Sequence, residues 1–247
     1  VSEEAKSVLG AASAPPIKLV KIGSGEKQVS IGEENVLFRH EEKFYNPTGV
    51  AITLSDDLDD EAFNQRLKKI NALKFTRVGT EIEIDLIALL NKSGDASKFA
   101  ERAKSVSDNT HLSIILESKS ADNMKAALET CADKKPLIYG ADAENWEAMA
   151  TIAKEKNCPM TISATTLEEL ADLTEKIKGA GVTEIVLNQV SESTKEILQG
   201  LTKIRRAALK KAFRQLGFPA LTYMPNGNPV QEIASASAFM SKYAGIV

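Results

Sequence analysis

From Gly49 onward, the chain alternates short apolar segments with longer segments that carry polar residues on one side. The apolar segments are Val50–Leu54, Ile84–Leu90, Leu112–Leu116, Pro136–Tyr139, Pro159–Ser163, Glu184–Leu187, Pro219–Thr222 and Gly245–Val247. The segments between them predict helices near residues 59–73, 95–106, 120–132, 143–156, 166–180, 192–215 and 229–243. Residues suited to capping the start of a helix are Asp59, Asp95, Ser120, Thr165 and Ser191. Continuously apolar strands that alternate with amphipathic helices are typical of a parallel sheet covered by helices.

The number of strands favours a closed barrel over an open, doubly wound sheet. Doubly wound sheets usually have a glycine-rich turn after the first strand, whereas Ser55, Asp56, Asp57 and Leu58 follow the first strand here. We therefore predict an α/β fold of the (β/α)8 TIM barrel type. Because the pattern ends with a strand, we expect the last helix to be missing. We also expect the ring of strands to need further residues or a partner surface in order to close.

The region before the barrel predicts a short helix and a β-hairpin. Glu3–Leu9 is rich in helix formers and is followed by a pair of prolines that would end a helix. Gln28–Ile31 and Val36–Arg39 alternate in character around a polar turn, which is typical of a hairpin. The sequence therefore divides into a linker over residues 1–27 and a barrel with its own hairpin over residues 28–247.

The charge balance and the cysteine content limit the function classes. The chain has 31 basic and 34 acidic residues and a net charge of −3. This balance gives no electrostatic reason to expect nucleic acid or an anionic membrane as a partner. No apolar run is long enough for a transmembrane helix. The two cysteines do not make a disulfide framework, so we expect a cytoplasmic location.

Functional residues of such barrels lie where the strands end at their carboxyl side. In this sequence, those positions are polar and varied, and three of them carry side chains that could hydrogen-bond a flat heterocycle such as a pterin. These candidate binding residues are Asn91, Asp142 and Asn188. The alternative is that they cap the following helices, and Asp142 in particular lies close to a predicted helix start.

Other types of site find little support in the sequence. His111 opens the third strand and His40 follows the predicted hairpin, so we expect neither a histidine-based triad nor a histidine metal site. Cys131 and Cys158 have no cysteine or histidine neighbour at ligand spacing, and we expect them to be buried. An iron–sulfur cluster needs about four cysteines. The sequence therefore assigns no catalytic residue and no metal ligand.

Basic residues leave two further alternatives open. Lys92 and Lys119 lie just past strand ends, where a Schiff-base lysine would be placed, although solvated lysines are far commoner. The predicted helix that begins near Glu192 carries a basic stripe, which either docks an acidic partner or forms a solvated face. The stripe consists of Lys203, Arg205, Arg206, Lys210, Lys211 and Arg214.

Several collinear segments resemble one known family. Ile31–Ile52, which reads IGEENVLFRHEEKFYNPTGVAI, is similar to the hairpin and first strand of the large (gamma) subunit of corrinoid iron–sulfur proteins. That family includes the gamma subunit of the archaeal acetyl-CoA decarbonylase/synthase complex. Further matching segments follow in the same order and are Asn91–Asp95, Arg205–Lys210, Gly217–Ala220 and Lys242–Val247. The resemblance spans essentially the whole chain and corresponds to the central barrel of that subunit.

The resemblance implies that two cofactor domains lie outside this chain. In that family, an N-terminal domain binds a [4Fe-4S] cluster through cysteines, a central barrel follows, and a C-terminal domain binds the corrinoid. Residues 1–27 would then be a linker after a missing iron–sulfur domain, and the corrinoid domain would follow Val247. We therefore expect cobalamin and the cluster in the full-length subunit, and neither to be held by this chain alone.

The function implied by the resemblance is methyl transfer in the reductive acetyl-CoA pathway of anaerobic carbon fixation. The corrinoid would take a methyl group from a methylated tetrahydropterin and deliver it to acetyl-CoA synthase, which makes the subunit a component of a corrinoid-dependent methyltransferase. The implied partners are the family's small subunit in a heterodimer, the methyltetrahydropterin methyltransferase and acetyl-CoA synthase. Two alternatives stay open: a self-contained pterin-binding methyltransferase barrel, and a structural barrel platform for a partner subunit.

Overall fold

The predicted alternation of strands and helices is confirmed. The structure is a computed structural model and describes residues 2, 5–6, 9–10, 13–38, 41, 45–225 and 227–247. Its strands are β1 Val20–Ile22, β2 Val29–Ile31, β3 Ala51–Ser55, β4 Lys74–Arg77, β5 Thr80–Glu83, β6 Leu86–Leu90, β7 Ser113–Glu117, β8 Leu137–Ala141, β9 Met160–Ala164, β10 Ile185–Gln189, β11 Ala220–Leu221 and β12 Ala244–Ile246. Its helices are α1 Asp60–Asn71, α2 Ala96–Asn109, α3 Ala121–Cys131, α4 Trp146–Lys156, α5 Leu167–Gly179, α6 Thr194–Lys210 and α7 Pro229–Ser241.

Eight parallel strands form one curled sheet in the order β3-β6-β7-β8-β9-β10-β11-β12, with helices on its outer side. The first and last strands are joined by backbone hydrogen bonds from Gly49 N to Gly245 O at 2.9 Å, from Ala51 N to Val247 O at 2.8 Å, and from Val247 N to Gly49 O at 3.0 Å. The ring therefore closes at its amino end through this chain's own backbone, so the expectation that closure needs other residues is wrong there.

Beyond Ala51, the outer edge of β3 has no strand neighbour within the described part of the chain. Thr53 is exposed on this edge, and its carbonyl accepts a hydrogen bond from the Arg66 guanidinium at 3.2 Å. Among the described residues, the ring is thus open along the part of β3 nearest the carboxyl end of the barrel.

The amino end of the barrel is filled by the β1–β2 hairpin. Val20, Ile22 and Ile31 point into the ring of strands and are buried there. The barrel side chains that they join in one apolar cluster include Leu86, Ala88, Ile115, Leu137, Val186, Leu221 and Ile246. Gly23 allows the hairpin to fit, because its φ is +88° and a Cβ atom there would meet Ser113 Oγ at 2.1 Å.

The predicted hairpin is wrong in its second strand. β1 and β2 form the antiparallel pair, with Val20 opposite Ile31, and residues 36–38 are not in a strand. Arg39 and His40 lie outside the described residues, as do four positions of the predicted helix Glu3–Leu9, of which residues 5, 6 and 9 are helical.

Carbonyl groups that were expected to form a ladder instead bind a buried arginine. Arg205 of α6 donates from Nε to Leu37 O at 2.7 Å, and its guanidinium also contacts Val36 O and the Glu34 carboxylate. A buried cation requires such acceptors. Arg205 therefore has a structural role and is not part of an exposed basic stripe. The other residues of the predicted stripe are exposed.

Three of the predicted helix caps are confirmed and two are displaced. Asp59, Asp95 and Ser120 accept hydrogen bonds from the first turns of α1, α2 and α3. Thr166 and Ser193 cap α5 and α6, in place of the predicted Thr165 and Ser191. The displaced hydroxyls instead bond the side chains of Glu169 and Glu196 in the same helical turns.

One element has no counterpart in the predicted pattern. Between α1 and β6, Lys74–Arg77 and Thr80–Glu83 form an antiparallel two-stranded sheet, β4–β5. This segment lies between a predicted helix and a predicted strand, and its own alternation is short and mostly polar.

We expect Ile22→Ala to lower the free energy of unfolding by about 2–5 kcal/mol, because it truncates a fully buried side chain of the β1–β2 hairpin, which forms the floor of the barrel at its amino end. The matched control is Ile233→Ala on α7, where the side chain is 68% exposed and the loss should stay within about 0.5 kcal/mol. Urea unfolding followed by circular dichroism measures both. Equal losses for the two variants would contradict the assignment of the hairpin as the floor.

Candidate functional site at the barrel mouth

A cavity lies at the carboxyl end of the strands, and we call this end the mouth. The cavity has a volume of about 1000 Å³. Its polar lining residues are Asn91, Lys92, Glu117, Ser118, Lys119, Ser120, Asn123, Tyr139, Asp142, Glu144, Ser163, Thr165 and Glu169. The mouth is therefore a wide opening, lined by both polar and apolar groups, above the apolar interior that the hairpin closes from the other end.

A buried carboxylate fixes the loops on one side of the mouth. Asp56 follows β3 and is fully buried. It accepts hydrogen bonds from Ser93 Oγ at 2.6 Å, from Ser93 N at 2.8 Å and from Asn91 Nδ2 at 2.8 Å. Charge-assisted hydrogen bonds of this kind are stronger than neutral ones, so Asp56 holds the loop after β6 against the loop after β3.

Asn91 extends this network to the next two loops. Its Oδ1 accepts from Asn123 Nδ2 at 2.7 Å and from Ser118 Oγ at 3.0 Å, while its Nδ2 donates to Asp56. An amide side chain has two donors and one acceptor oxygen, and the structure engages both ends of this one. Asn91 lines the mouth, and its side-chain groups are already bonded to neighbouring loops.

Asp142 lies at the rim of the mouth and organises the start of α4. Its Oδ1 accepts from Glu144 N at 3.0 Å, and its Oδ2 is 3.5 Å from the exposed Lys119 Nζ. The Asp142 backbone N donates to Asn145 Oδ1 at 2.9 Å. The Asp142 carboxylate thus bonds the turn before α4, whose N-cap is Asn145, and it also lines the mouth.

Asn188 is buried below the mouth and does not line it. Its Nδ2 donates to Tyr139 OH at 2.7 Å and to Ser163 Oγ at 3.1 Å. The structure thus brings Asn91 and Asp142 to one cavity and places Asn188 in the layer beneath, where it holds two residues of the lining.

Glu117 is an acidic residue of the mouth that is not among the predicted candidates. It ends β7, points inward and accepts a hydrogen bond from the Tyr223 hydroxyl. Burial raises its pKa above the ordinary value, and the hydrogen bond from Tyr223 opposes that rise. The rings of Tyr223 and Tyr139 meet edge to face, with centroids 5.3 Å apart. The sequence signal for this residue was an acidic side chain directly after the apolar segment Leu112–Leu116, where a barrel strand ends at the mouth.

The family model described as CO dehydrogenase/acetyl-CoA synthase delta subunit matches residues 19–247. The chain belongs to this family. The match confirms the resemblance found in the sequence, and it covers the hairpin, the barrel and every residue of the mouth.

Curated relatives agree with this assignment. The chain is 40% identical to the corrinoid/iron-sulfur protein large subunit of Moorella thermoacetica over 247 residues, which is 100% of this chain and 55% of that protein. It is 35% identical to the acetyl-CoA decarbonylase/synthase complex subunit gamma of Methanothermobacter thermautotrophicus, over 95% of this chain and 54% of that protein. The chain therefore spans about half the length of the curated relatives that it matches.

Solved structures confirm the predicted fold. The 7,8-dihydropteroate synthase of Vibrio fischeri superposes with a TM-score of 0.63 and 15% identity, and covers 92% of this chain and 90% of that one. The dihydropteroate synthase of Coxiella burnetii, in complex with pteroic acid, gives a TM-score of 0.63 at 12% identity, over 93% and 92% of the two chains. At these identities, the likeness establishes the barrel fold of this family member.

The side chains of this family member do not fit an iron–sulfur cluster. Cys131 and Cys158 are both buried, and burial raises the pKa of their thiols to about 12 and about 11. A cluster requires about four thiolate ligands. The described residues contain no group of three or more His, Cys, Asp or Glu side chains placed to hold a metal ion.

His111 lies at the amino end of the barrel, as expected, where its Nε2 is 2.5 Å from Glu83 Oε1. The predicted position of His40 is outside the described residues. Within the described ranges, no helix has the length and apolarity needed to cross a membrane.

The raised pKa of Glu117 gives a prediction with a definite sign. The native protein holds this proton to a higher pH than the unfolded chain does, so ionisation of Glu117 destabilises the fold as pH rises through the raised pKa. Measured by urea unfolding at about pH 4 and about pH 8, wild type should lose stability relative to Glu117→Gln on going to the higher pH.

Glu83 serves as the control, because its effect on stability should change with pH in the opposite direction. The Lys27 ammonium and the His111 ring lower the pKa of Glu83 to about 2 from an ordinary 4.5. The stability that Glu83 contributes is therefore present above its ordinary pKa and is lost as pH falls toward about 2. Wild type should accordingly lose stability relative to Glu83→Gln on acidification. Parallel pH trends for the two variants would refute the assignment of Glu117 as a buried acid.

Proposed function

We propose that this barrel is the central scaffold of a methyl-carrier subunit in acetyl-CoA metabolism. In this proposal, the subunit takes a methyl group from a methylated tetrahydropterin onto a corrinoid and delivers it to acetyl-CoA synthase. The observation that carries the proposal is the 40% identity of the whole chain to a corrinoid/iron-sulfur protein large subunit. Identity at that level along all 247 residues supports a shared role for the barrel.

The chemistry would be carried by cofactors held outside the barrel. A corrinoid supplies the cobalt nucleophile when bound, and the protein supplies positioning and shielding. The barrel offers neither thiolates for a [4Fe-4S] cluster nor a histidine at its mouth among the described residues. Its contribution is then a rigid platform, closed at one end by the β1–β2 hairpin and presenting bonded loops at the other.

Membership of the family implies partner subunits. We propose that these are the small subunit of the corrinoid iron–sulfur protein, in a heterodimer, together with the methyltetrahydropterin methyltransferase and acetyl-CoA synthase. The barrel architecture supports this role, because the loops at the mouth are tied to one another by Asp56 and Asn91 and can present a fixed surface to a partner.

A self-contained pterin-binding methyltransferase is the second candidate, and the mouth cavity of about 1000 Å³ is the observation in its favour. A pterin presents several donors and acceptors on one edge, so it needs unpaired polar groups that converge. The groups of Asn91 and Asn188 are instead bonded within the protein. Glu117 lines the cavity and accepts a hydrogen bond from Tyr223.

The methyl-carrier proposal is tested on the full-length gene product, purified without oxygen. Its ultraviolet–visible spectrum should show a corrinoid and an iron–sulfur cluster. After reduction, addition of methyltetrahydrofolate and the methyltransferase should replace the cob(I)alamin band by that of methylcobalamin. A protein without cobalt, or with cobalt that is not methylated, would overturn the proposal.

Calorimetry separates the two candidate functions. Titration of methyltetrahydrofolate into the protein in the absence of the methyltransferase should give no saturable heat if the barrel is a scaffold. Saturable binding that is lost in Glu117→Ala and kept in Glu192→Ala, an acidic residue away from the cavity lining, would favour the self-contained enzyme instead.

We expect the double variant Cys131→Ala and Cys158→Ala to retain the iron and cobalt content of the full-length wild type. Both thiols are buried and held in the neutral form, so neither is available as a metal ligand. The cost should be about 1 kcal/mol of stability for each deleted sulfur. Metal analysis by mass spectrometry measures the outcome, and a loss of iron in proportion to protein would show that a barrel cysteine is a ligand.

A further inference from the structure

The β4–β5 hairpin is not needed to build the barrel. It is inserted where α1 would lead directly into β6, and the residues of β4 and most of β5 are exposed. Its base is fixed by Glu83, which lies 2.5 Å from Lys27 Nζ and 2.5 Å from His111 Nε2. The hairpin is thus a projection that is anchored at the amino end of the barrel and whose strand residues are mostly exposed.

One face of this projection carries apolar side chains. Phe75 and Ile82 are directly opposite each other in the two strands, and both are exposed. Leu73 is exposed at the base, and Val78 at the tip is 96% exposed. Directly paired side chains lie on the same face of a two-stranded sheet, so Phe75 and Ile82 form an apolar pair on one face, followed on that face by Arg77 and Thr80 and then by Val78 in the turn.

Val78, at the tip of the hairpin, is a residue type that this kind of turn does not favour. Val78 and Gly79 both have positive φ, +50° and +77°, and they form the two-residue loop between Arg77 and Thr80. Such type I′ turns prefer Asn-Gly, and a β-branched residue in the left-handed region is unfavourable. The exposed valine therefore stabilises neither the turn nor the barrel.

Basic residues predominate from the middle of α1 to the tip of the hairpin, and the two acidic residues that follow in β5, Glu81 and Glu83, are both paired. Residues 62–80 contain five basic and no acidic residues in a chain of net charge −3. Arg66 is bonded to Thr53 O, and Lys74 is paired with Glu81 at 2.9 Å. The remaining basic residues make no ion pair with any described residue, and they are Lys68, Lys69 and Arg77.

We propose that the β4–β5 hairpin is a docking element for an acidic protein surface that contains an apolar cleft. Phe75, Val78 and Ile82 would enter the cleft, and Lys68, Lys69 and Arg77 would face carboxylates at its rim. That the partner is a subunit of the same assembly rests on the function proposed above. The position of the docking surface is inferred from the hairpin itself and does not depend on that proposed function.

Two other occupants fit the hairpin less well. A second copy of this chain would bring two basic surfaces together in a symmetric contact, and juxtaposed like charges oppose association. A lipid surface would satisfy the charges, but both outer edges of β4–β5 lack a strand partner within the described residues. Unpaired backbone groups are costly in lipid, whereas the edge strand of a protein can pair with them.

The experiment uses the full-length gene product and the other subunits of the acetyl-CoA decarbonylase/synthase assembly from the same organism, each purified separately. Calorimetry identifies which subunit binds, and hydrogen exchange then compares the free and bound protein. We expect amides of residues 73–82 to be protected about tenfold or more by one acidic subunit. The affinity should fall as salt concentration rises, because exposed charges are screened.

Val78→Asn is the decisive variant, because it should strengthen the type I′ turn while removing the apolar tip. We expect it to raise or preserve the melting temperature and to raise Kd about tenfold or more. Val230→Asn is the matched control, since Val230 is 75% exposed on α7, and it should leave Kd unchanged. Arg77→Glu should raise Kd and flatten its salt dependence.

The results that would overturn the proposal are distinct. Unchanged affinity in Val78→Asn, or no subunit that protects residues 73–82, would show that the hairpin is not a docking element. Protection of residues 73–82 by vesicles of phosphatidylglycerol and phosphatidylcholine would show that the hairpin binds lipid instead of a protein partner. Dimerisation of the protein that Val78→Asn abolishes would show that the hairpin binds a second copy of this chain. The cobalt methylation assay reports separately on the methyl-carrier function, so failure of one proposal is distinguishable from failure of the other.

Discussion

The hydrogen bonds between Gly49–Ala51 and Gly245–Val247 determine the shape of this protein. They join the first and last of eight parallel strands, so the sheet curls into a ring with a single interior. Once the ring exists, its amino end must be filled, and the β1–β2 hairpin fills it with Val20, Ile22 and Ile31. The same ring brings the carboxyl ends of all strands to one opening, which is why loops far apart in sequence share one mouth.

The mouth shows how polar residues can build a rigid rim. Asp56 is fully buried, and a buried carboxylate is tolerated only where donors surround it. Asn91 and Ser93 supply those donors, and Asn91 passes the connection on to Ser118 and Asn123. Much of the hydrogen-bonding capacity at this opening therefore maintains its shape.

The two ends of the barrel differ in a way that suits an assembly component. At the mouth, the polar groups are bonded to one another and the cavity is wide. At the amino end, the β4–β5 hairpin projects exposed apolar and basic side chains and is anchored through Glu83. Soluble proteins rarely keep such exposed apolar surface without a use. The internal stability of the barrel and the surface chemistry of the hairpin are thus separate features of one chain.

The sequence by itself determined the barrel, because alternating apolar strands and amphipathic helices leave few other ways to bury the strands on both faces. It also determined the family, through segments collinear along the whole chain. Tertiary structure decided the rest. Residues 36–38 do not form a strand, because Arg205, about 170 positions away, donates hydrogen bonds to the carbonyl oxygens of Val36 and Leu37. Whether Asn91, Asp142 and Asn188 face a cavity or a neighbour depended on which loops meet at the mouth. Such contacts join residues distant in sequence, and no local pattern records them.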